Sequence, residues 1–413
     1  MATPGIYWAL VRDNADFRRL YFARLISFAG DWFLLVPLLG LVYEASGSPL
    51  AAAAVLAAQA LPALLLAPFT GVAADRYDRK KILVISDVAR AGLVLSLLAV
   101  DAVSGIWFPL LVMALEGAGA AFFYAASGGA LPNVVDEDEL AAANVLMSSA
   151  WGAMLALGAA LGGLFAAVVS RDAAFVVNAA SFLVSAVLVA RIGRRLQEPV
   201  RDAVVGFVES TRDAIRYAVG HRRVAALLTS KAGHALTSGG AVALFAVASF
   251  AQFETGDGGT GVLFAARGIG NLVGPLLAFR LVGGSNRRIY ESIGFAMALW
   301  GAAYLAVGVA PGLALAALAV CIGHMGGGTQ FAFSTYGLQE LSPDQIRGRV
   351  FALDFGLDTL AIAVSALIVG ALAEAVPIRT LIVALGGIAL VFGLGWSRVT
   401  RPLWVGADLD SGD

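Results

Sequence analysis

The chain has 413 residues, 59% of them hydrophobic and 14% charged, with a mean hydropathy of +0.83. That is too little polar material to cover a soluble fold of this length, so composition excludes one and points to a polytopic helical membrane protein. A net charge of −1 gives no basic excess for nucleic acid, and the one cysteine, Cys321, lies in an apolar run without a disulfide mate or a thiolate companion for a metal.

Apolar windows predict twelve spans, near residues 20–42, 50–73, 82–100, 106–130, 141–168, 173–190, 224–251, 260–282, 291–310, 313–338, 349–374 and 378–397. A hydrocarbon core requires about 17–25 such residues. The first run is longer than the core of a cleavable signal, so it is expected to remain as the first span. Lys and Arg accumulate on the cytoplasmic side of membrane proteins. Here alternate segments hold Arg12, Arg18 and Arg19, then Arg76, Arg79, Lys80 and Lys81, then the run from Arg191 to Arg223, then Arg287, Arg288, Arg347, Arg349, Arg398 and Arg401. The opposite turns hold only Arg171 and Arg379, beside Glu44, Asp101, Asp172, Glu254, Asp257 and Glu374. Both termini are therefore expected in the cytoplasm.

The longest polar segment falls at the midpoint and predicts three parts: a six-helix bundle over 1–195, a linker over 196–223 and a second bundle over 224–413. In the linker Val204, Val205, Val208, Ile215 and Val219 recur near helical spacing among Arg201, Arg212, Arg216 and Arg222. That pattern suits an amphipathic helix at the inner interface, or a solvated spacer. A shift of 207 residues maps Arg24 onto Lys231, Pro68 onto Pro275 and Lys80-Lys81 onto Arg287-Arg288, which suggests an internal repeat. Transporters built from such repeats place their substrate between the halves near the bilayer midplane.

Charges inside spans are the next signal, because each costs about 2.5–3.5 kcal/mol at a helix centre on insertion scales and so faces a cavity or a partner. Arg24, Ser27 and Asp31 form one stripe of the first span; Lys231 and His234 share a face of the seventh, and Asp354 and Asp358 a face of the eleventh. Glu116, Arg267 and His324 occur singly in the fourth, eighth and tenth. Asp31, Glu116 and Asp358 fall near mid-span, where a low dielectric favours the neutral form of a carboxyl and makes reversible protonation plausible. The competing reading is a fixed ion pair, for example Asp31 with Arg267 or Asp358 with Lys231. His234 and His324 read as packed or hydrogen-bonded groups, lacking the spacing of a metal site. Trp32, Phe122, Phe123, Phe331 and Phe333 suit a cavity for apolar ligands and suit lipid or core equally.

Between the second and third spans runs Gly71-Val-Ala-Ala-Asp75-Arg76-Tyr-Asp78-Arg79-Lys80-Lys81-Ile-Leu83. It resembles the loop signature of the major facilitator superfamily, Gly-x-Leu-Ala-Asp-Arg-x-Gly-Arg-Lys-x-x-Leu, with Ala73 and Asp78 as departures. Gly30-Asp31-Trp32, Phe264-Ala-Ala-Arg267-Gly-Ile-Gly270 and Arg347-Gly348-Arg349-Val350 extend the resemblance over nearly the whole chain, to the twelve-helix drug:proton antiporter branch that includes macrolide efflux proteins and the enterobactin exporter. The fourth-span signature, Arg-x-x-Gln-Gly-x-Gly, meets Met113, Glu116, Gly117 and Gly119, so its Arg is missing and its Gln is Glu. The fifth-span antiporter signature meets Gly158, Ala159, Gly162 and Gly163 without its Pro; small residues four apart also let membrane helices approach, as Gly270 and Gly274 do.

The resemblance implies an all-α membrane protein of twelve transmembrane helices in two pseudo-symmetric six-helix bundles. It further implies proton-coupled efflux of amphiphilic or lipophilic drug-like molecules, by alternating access in a bacterial cytoplasmic membrane. A dedicated exporter of a siderophore-like metabolite and a lipid transporter are the alternatives. Proton coupling is assigned to Asp31, Glu116, Asp354 and Asp358. A conformational gate is assigned to Gly71, Asp75, Arg76, Arg79, Lys80, Asp87 and Arg90 with Arg347, Gly348 and Arg349, where Asp75 would meet the N-terminus of the eleventh helix. Lys80 and Lys81 also read as ordinary topology signals. A substrate cavity is assigned to Arg24, Trp32, Lys231, His234, Arg267 and His324. The expected partners are a small molecule, protons and lipid, with a monomer and no cofactor, metal or nucleic acid. No phosphate-binding Gly-Lys, His-Glu-x-x-His or Gly-x-Ser-x-Gly occurs, which argues against ATP-driven transport and membrane-embedded hydrolysis.

Overall fold

The structure, a computed structural model, describes residues 4–102, 105–136, 139–197, 207–283 and 285–405, and no strand occurs among them. Fourteen α-helices follow one another: α1 Pro4–Asp13, α2 Ala15–Ser46, α3 Pro49–Arg76, α4 Arg79–Ser96, α5 Trp107–Ala130, α6 Leu140–Val168, α7 Arg171–Ala190, α8 Phe207–Gly220, α9 Arg222–Val247, α10 Gly256–Val282, α11 Asn286–Val309, α12 Leu313–Leu341, α13 Asp344–Leu372 and α14 Ile378–Thr400. Among the described residues eleven helical stretches are long and apolar enough to cross a membrane, and α6 carries a shorter apolar stretch, Ala153–Val168. Those twelve coincide with the predicted spans.

Several helices outrun their apolar windows because polar ends are capped and continue past the hydrocarbon. Asn14 accepts from Phe17 N at 3.0 Å to start α2, and Gly47, at φ +65°, closes it by donating to Tyr43 O. Asp78 accepts from Lys80 N at 2.9 Å and starts α4.

The internal repeat holds at the level of whole helices. Adding 207 to the first residues of α2, α3, α4 and α7 (15, 49, 79 and 171) gives those of α9, α10, α11 and α14 (222, 256, 286 and 378). The packing repeats as well. A Cβ on Gly158 of α6 would lie 2.5 Å from Ala29 O of α2, and Ser365 of α13, 207 residues on, donates to Leu236 O of α9, 207 residues on from Ala29.

The chain divides into two compact units, Met1–Gly47 with Ala58–Val204, and Ser48–Ala57 with Val205–Asp413. In the first, α2 packs against α6 and α7, and α4 against α5 and α7. A Cβ at Gly162 would fall 2.8 Å from Phe33 Cα and closer still to its carbonyl oxygen, so the glycines of the fifth span serve close helix approach. Gly162→Val is expected to destabilise by about 1–3 kcal/mol or more through overpacking against backbone. Gly92→Val, at a position with nothing within 4 Å, serves as the control in thermal denaturation.

In the second unit α9 packs against α12, α13 and α14, α10 against α12, and α11 against α12 and α14. Gly274 faces Met325 of α12, where a Cβ would meet Met325 Cα at 2.5 Å. Part of the segment expected as a linker is the helix α8, tied to this unit by Arg349 Nη1–Asp213 Oδ2 at 2.6 Å and Tyr217 OH to Leu341 O at 2.8 Å. Arg201, Val204 and Val205 of the predicted linker lie outside the described residues. Phe123 and Phe333, weighed as cavity aromatics, are buried in the apolar cores of the two units.

Candidate functional site

The first unit buries one cation among three acids. Arg90 sits on α4 one turn after Asp87, so both point to the same face, and that face meets α2 and α5. The Arg90 guanidinium donates from Nε to Glu116 Oε1 at 2.9 Å, from Nη2 to the same oxygen at 2.6 Å, and from Nη2 to Asp31. Its Nη1 reaches Ser27 Oγ at 2.8 Å and Asp87 Oδ1 at 3.2 Å, and Ser27 in turn donates to Asp87. The Phe182 ring lies 4.0 Å from its Cζ. Tyr124 of α5 donates its hydroxyl to the second Asp31 oxygen at 2.6 Å.

Arg90, Asp87 and Glu116 have no exposed side-chain surface, and Asp31 retains 7%. With all three carboxyls ionised the cluster would carry +1 − 3 = −2. Glu116 Oε2 is buried without a hydrogen-bond donor among the described residues, and Asp87 has the Ser185 hydroxyl within reach besides Ser27 and Arg90. An uncompensated charge in such surroundings is strongly unfavourable, and binding protons removes it. The arrangement is therefore chemically suited to hold up to two protons while keeping Arg90 paired.

The second unit is balanced instead. Lys231 Nζ donates to Asp354 Oδ2 at 2.5 Å, with 2% and 7% of the two side chains exposed, and lies 4.1 Å from the Phe331 ring centroid. Asp358 lies within electrostatic reach of Lys231 and Arg267. The four formal charges, two positive and two negative, sum to zero. His324 Nε2 is 3.0 Å from Tyr304 OH, the Tyr304 ring stacks on Trp300 at 3.9 Å, and His234 meets Trp300 edge-on at 5.3 Å. Both histidines are thus held among aromatic groups, and no cluster suited to a metal ion occurs among the described residues.

At the arginine-rich end of the first unit the Gly71–Leu83 loop clasps neighbouring carbonyls. Arg79 donates to Ala74 O at 2.8 Å, to Gly129 O at the end of α5, and to Leu196 O at 3.3 Å, and approaches Asp75 Oδ1 at 3.4 Å. Lys80 Nζ donates to Ile192 O at 2.8 Å, and Gln197 donates to Asp75 O. Arg76 and Lys81 are exposed. In the second unit Arg347 donates to Ser342 O at 3.0 Å at the start of α13.

Sequence reasoning grouped Asp87 and Arg90 with this loop; the structure places them with Asp31 and Glu116. The ion pairs offered as examples are corrected: Asp31 bonds Arg90, and Lys231 bonds Asp354, one turn before Asp358. A pair of opposite charges three residues apart inside an apolar run was the available signal for Arg90. Tyr124 was missed, being one aromatic among several in its span.

Against known proteins, the profile of a family described as transmembrane secretion effectors matches residues 7–411. An uncharacterised major-facilitator-type transporter of Bacillus subtilis, YfiS, is 30% identical over 180 residues, 43% of this chain and 42% of that protein. The putative bacilysin exporter BacE of Bacillus subtilis is 27% identical over 392 residues, covering 90% of this chain and 92% of the relative. Among solved structures, a bacterial homolog of the human lysosomal transporter Spinster superposes with a TM-score of 0.73 at 13% identity, covering 98% of each chain.

Proposed function

The chain belongs to the transmembrane secretion effector family of major facilitator transporters, and on that premise we propose that it exports an amphiphilic or lipophilic small molecule in exchange for protons. The observation that carries proton coupling is the three-acid, one-arginine cluster, whose charge is compensated only when carboxyls are protonated. Protonation of Asp31 would release the Arg90 Nη2 contact and leave Tyr124 as the donor to its other oxygen, so a proton and a side-chain rearrangement are exchanged at one place. Glu116 supplies the anion that retains Arg90 through that exchange. Asp354 and Asp358, opposite as many cations, contribute a fixed network.

Lys231, His234, Arg267 and His324, with Arg24 and Trp32, remain the proposed substrate contacts. Asp75, Arg76, Arg79 and Lys80 with Arg347, Gly348 and Arg349 remain the proposed gate. The arginine-rich ends are proposed to face the cytoplasm, as the distribution of Lys and Arg requires. The protein is expected to act as a monomer in a bacterial cytoplasmic membrane.

The test is uptake of a compound panel into inverted vesicles under an imposed pH gradient. Wild-type protein is expected to accumulate substrate only with the gradient, and Asp31→Asn to abolish that gradient-driven uptake while the protein stays folded by thermal denaturation. Full gradient-driven uptake by Asp31→Asn would remove Asp31 from the mechanism. A second reading, export of one dedicated metabolite, is favoured by the near-full-length likeness to a putative exporter of a single compound. A response confined to one member of the panel would select it.

A further inference from the structure

Arg24 is a membrane-depth cation for which the described residues supply no acid. The helix α2 has 32 residues. At 1.5 Å per residue it is about 48 Å long, so a bilayer core of about 30 Å centred on it holds Asp31 at mid-depth and Arg24 about 10 Å nearer the arginine-rich end. Among the described residues the Arg24 guanidinium meets the Tyr124 ring, 5.8 Å from its centroid, and no carboxylate. Its repeat mate at 24 + 207 is Lys231, which Asp354 neutralises. The residue that corresponds to Asp354, at 354 − 207, is Met147, buried at 6% in an apolar cluster. The register of that comparison is fixed by packing, since the α6–α2 and α13–α9 contacts repeat at the same offset.

One bundle thus holds a satisfied cation–carboxylate pair, and the other holds the cation with its carboxylate replaced by a thioether. A guanidinium is never deprotonated and binds a carboxylate or phosphate bidentately. Its surroundings are aromatic and open on one side. Phe28 meets Tyr124 at 5.7 Å and Trp32 at 6.3 Å, and Gly128, one turn after Tyr124 on the same face of α5, has nothing within 4 Å of where a Cβ would sit. We propose that Arg24 is the anchor for an anionic group on the transported molecule, whose apolar or aromatic body lies along Phe28, Trp32 and Tyr124. The substrate class is then an anionic amphiphile, carboxylate- or phosphate-bearing. This rests on the export reading and narrows it.

N-dansyl-phenylalanine and its methyl ester differ in the negative charge and one methyl group and report binding by fluorescence. Purified full-length protein is expected to bind the acid at least tenfold more tightly than the ester. Arg24→Gln should erase that preference, and Arg24→Lys should keep most of it. Met147→Glu, which leaves Arg24 in place and puts a carboxylate at the position that corresponds to Asp354, should weaken acid binding at least tenfold. Equal binding of acid and ester by the wild type overturns the proposal, as does a preference that survives in both Arg24→Gln and Met147→Glu. A preference that follows the phosphatidylglycerol content of phosphatidylcholine vesicles, independent of probe charge, assigns Arg24 to lipid phosphate and also overturns it. Gradient-driven uptake is read separately. Arg24-dependent binding of the acid without pH-driven movement defeats proton-coupled export and leaves this inference standing, whereas binding and movement of the ester alone does the reverse.

Discussion

Replacing Arg90 with Met is expected to cost the protein at least about 3–5 kcal/mol, because it removes the single cation from a site that holds three buried acids. That is a large share of the about 5–15 kcal/mol by which proteins are stable, so the variant should express poorly and melt early. The guanidinium also occupies Ser27 and rests on Phe182, so packing is lost together with charge. The diagnostic step is to remove the acids as well. Arg90→Met combined with Asp31→Asn, Asp87→Asn and Glu116→Gln should recover most of the lost stability, since no uncompensated charge remains. It should nevertheless fail in gradient-driven uptake, because the groups that bind protons are gone. If the combined variant melts as early as Arg90→Met alone, packing and not charge is what Arg90 contributes. If it still transports with the gradient, coupling lies elsewhere.

The second expected result concerns the other unit. Lys231→Met should destabilise by about 3–5 kcal/mol, because Asp354 would lose its buried partner and must either keep an uncompensated charge or take up a proton at a cost. Asp354→Leu should cost a comparable amount by stranding the ammonium. The double variant, Lys231→Met with Asp354→Leu, should be markedly more stable than either single one, since replacing a buried pair by apolar groups is often neutral or favourable. A double-mutant cycle in chemical or thermal denaturation reads this coupling directly. Additive losses would show that the 2.5 Å contact is not an energetic pair.

These two clusters also show where reading the chain succeeded and where it stopped. Twelve spans and the 207-residue repeat were legible because hydropathy, Lys and Arg position and helix length are properties of consecutive residues. The capped, polar starts of α2 and α4 were not, since an apolar window registers only the part of a helix that needs lipid. Family membership was legible in the Gly71–Leu83 loop, whose order of charges is local.

What the sequence by itself determined, then, is the set of membrane spans, their repeat and the presence of charges inside them. Which charge answers which was decided only by tertiary structure. Asp31 and Arg90 are 59 residues apart, Arg90 and Glu116 26, and Lys231 and Asp354 123. Those partners are chosen by helix packing, at close approaches such as Gly119, where a Cβ would fall 2.8 Å from Arg90 Cγ, and Gly239 of α9, where it would fall 2.7 Å from Ile362 Cα of α13. The same packing puts Met147 where the other bundle has Asp354. The excess of acid around Arg90 and the lack of it around Arg24 are therefore facts of three-dimensional neighbourhood, invisible in a net charge of −1 because charge totals carry no information about distance.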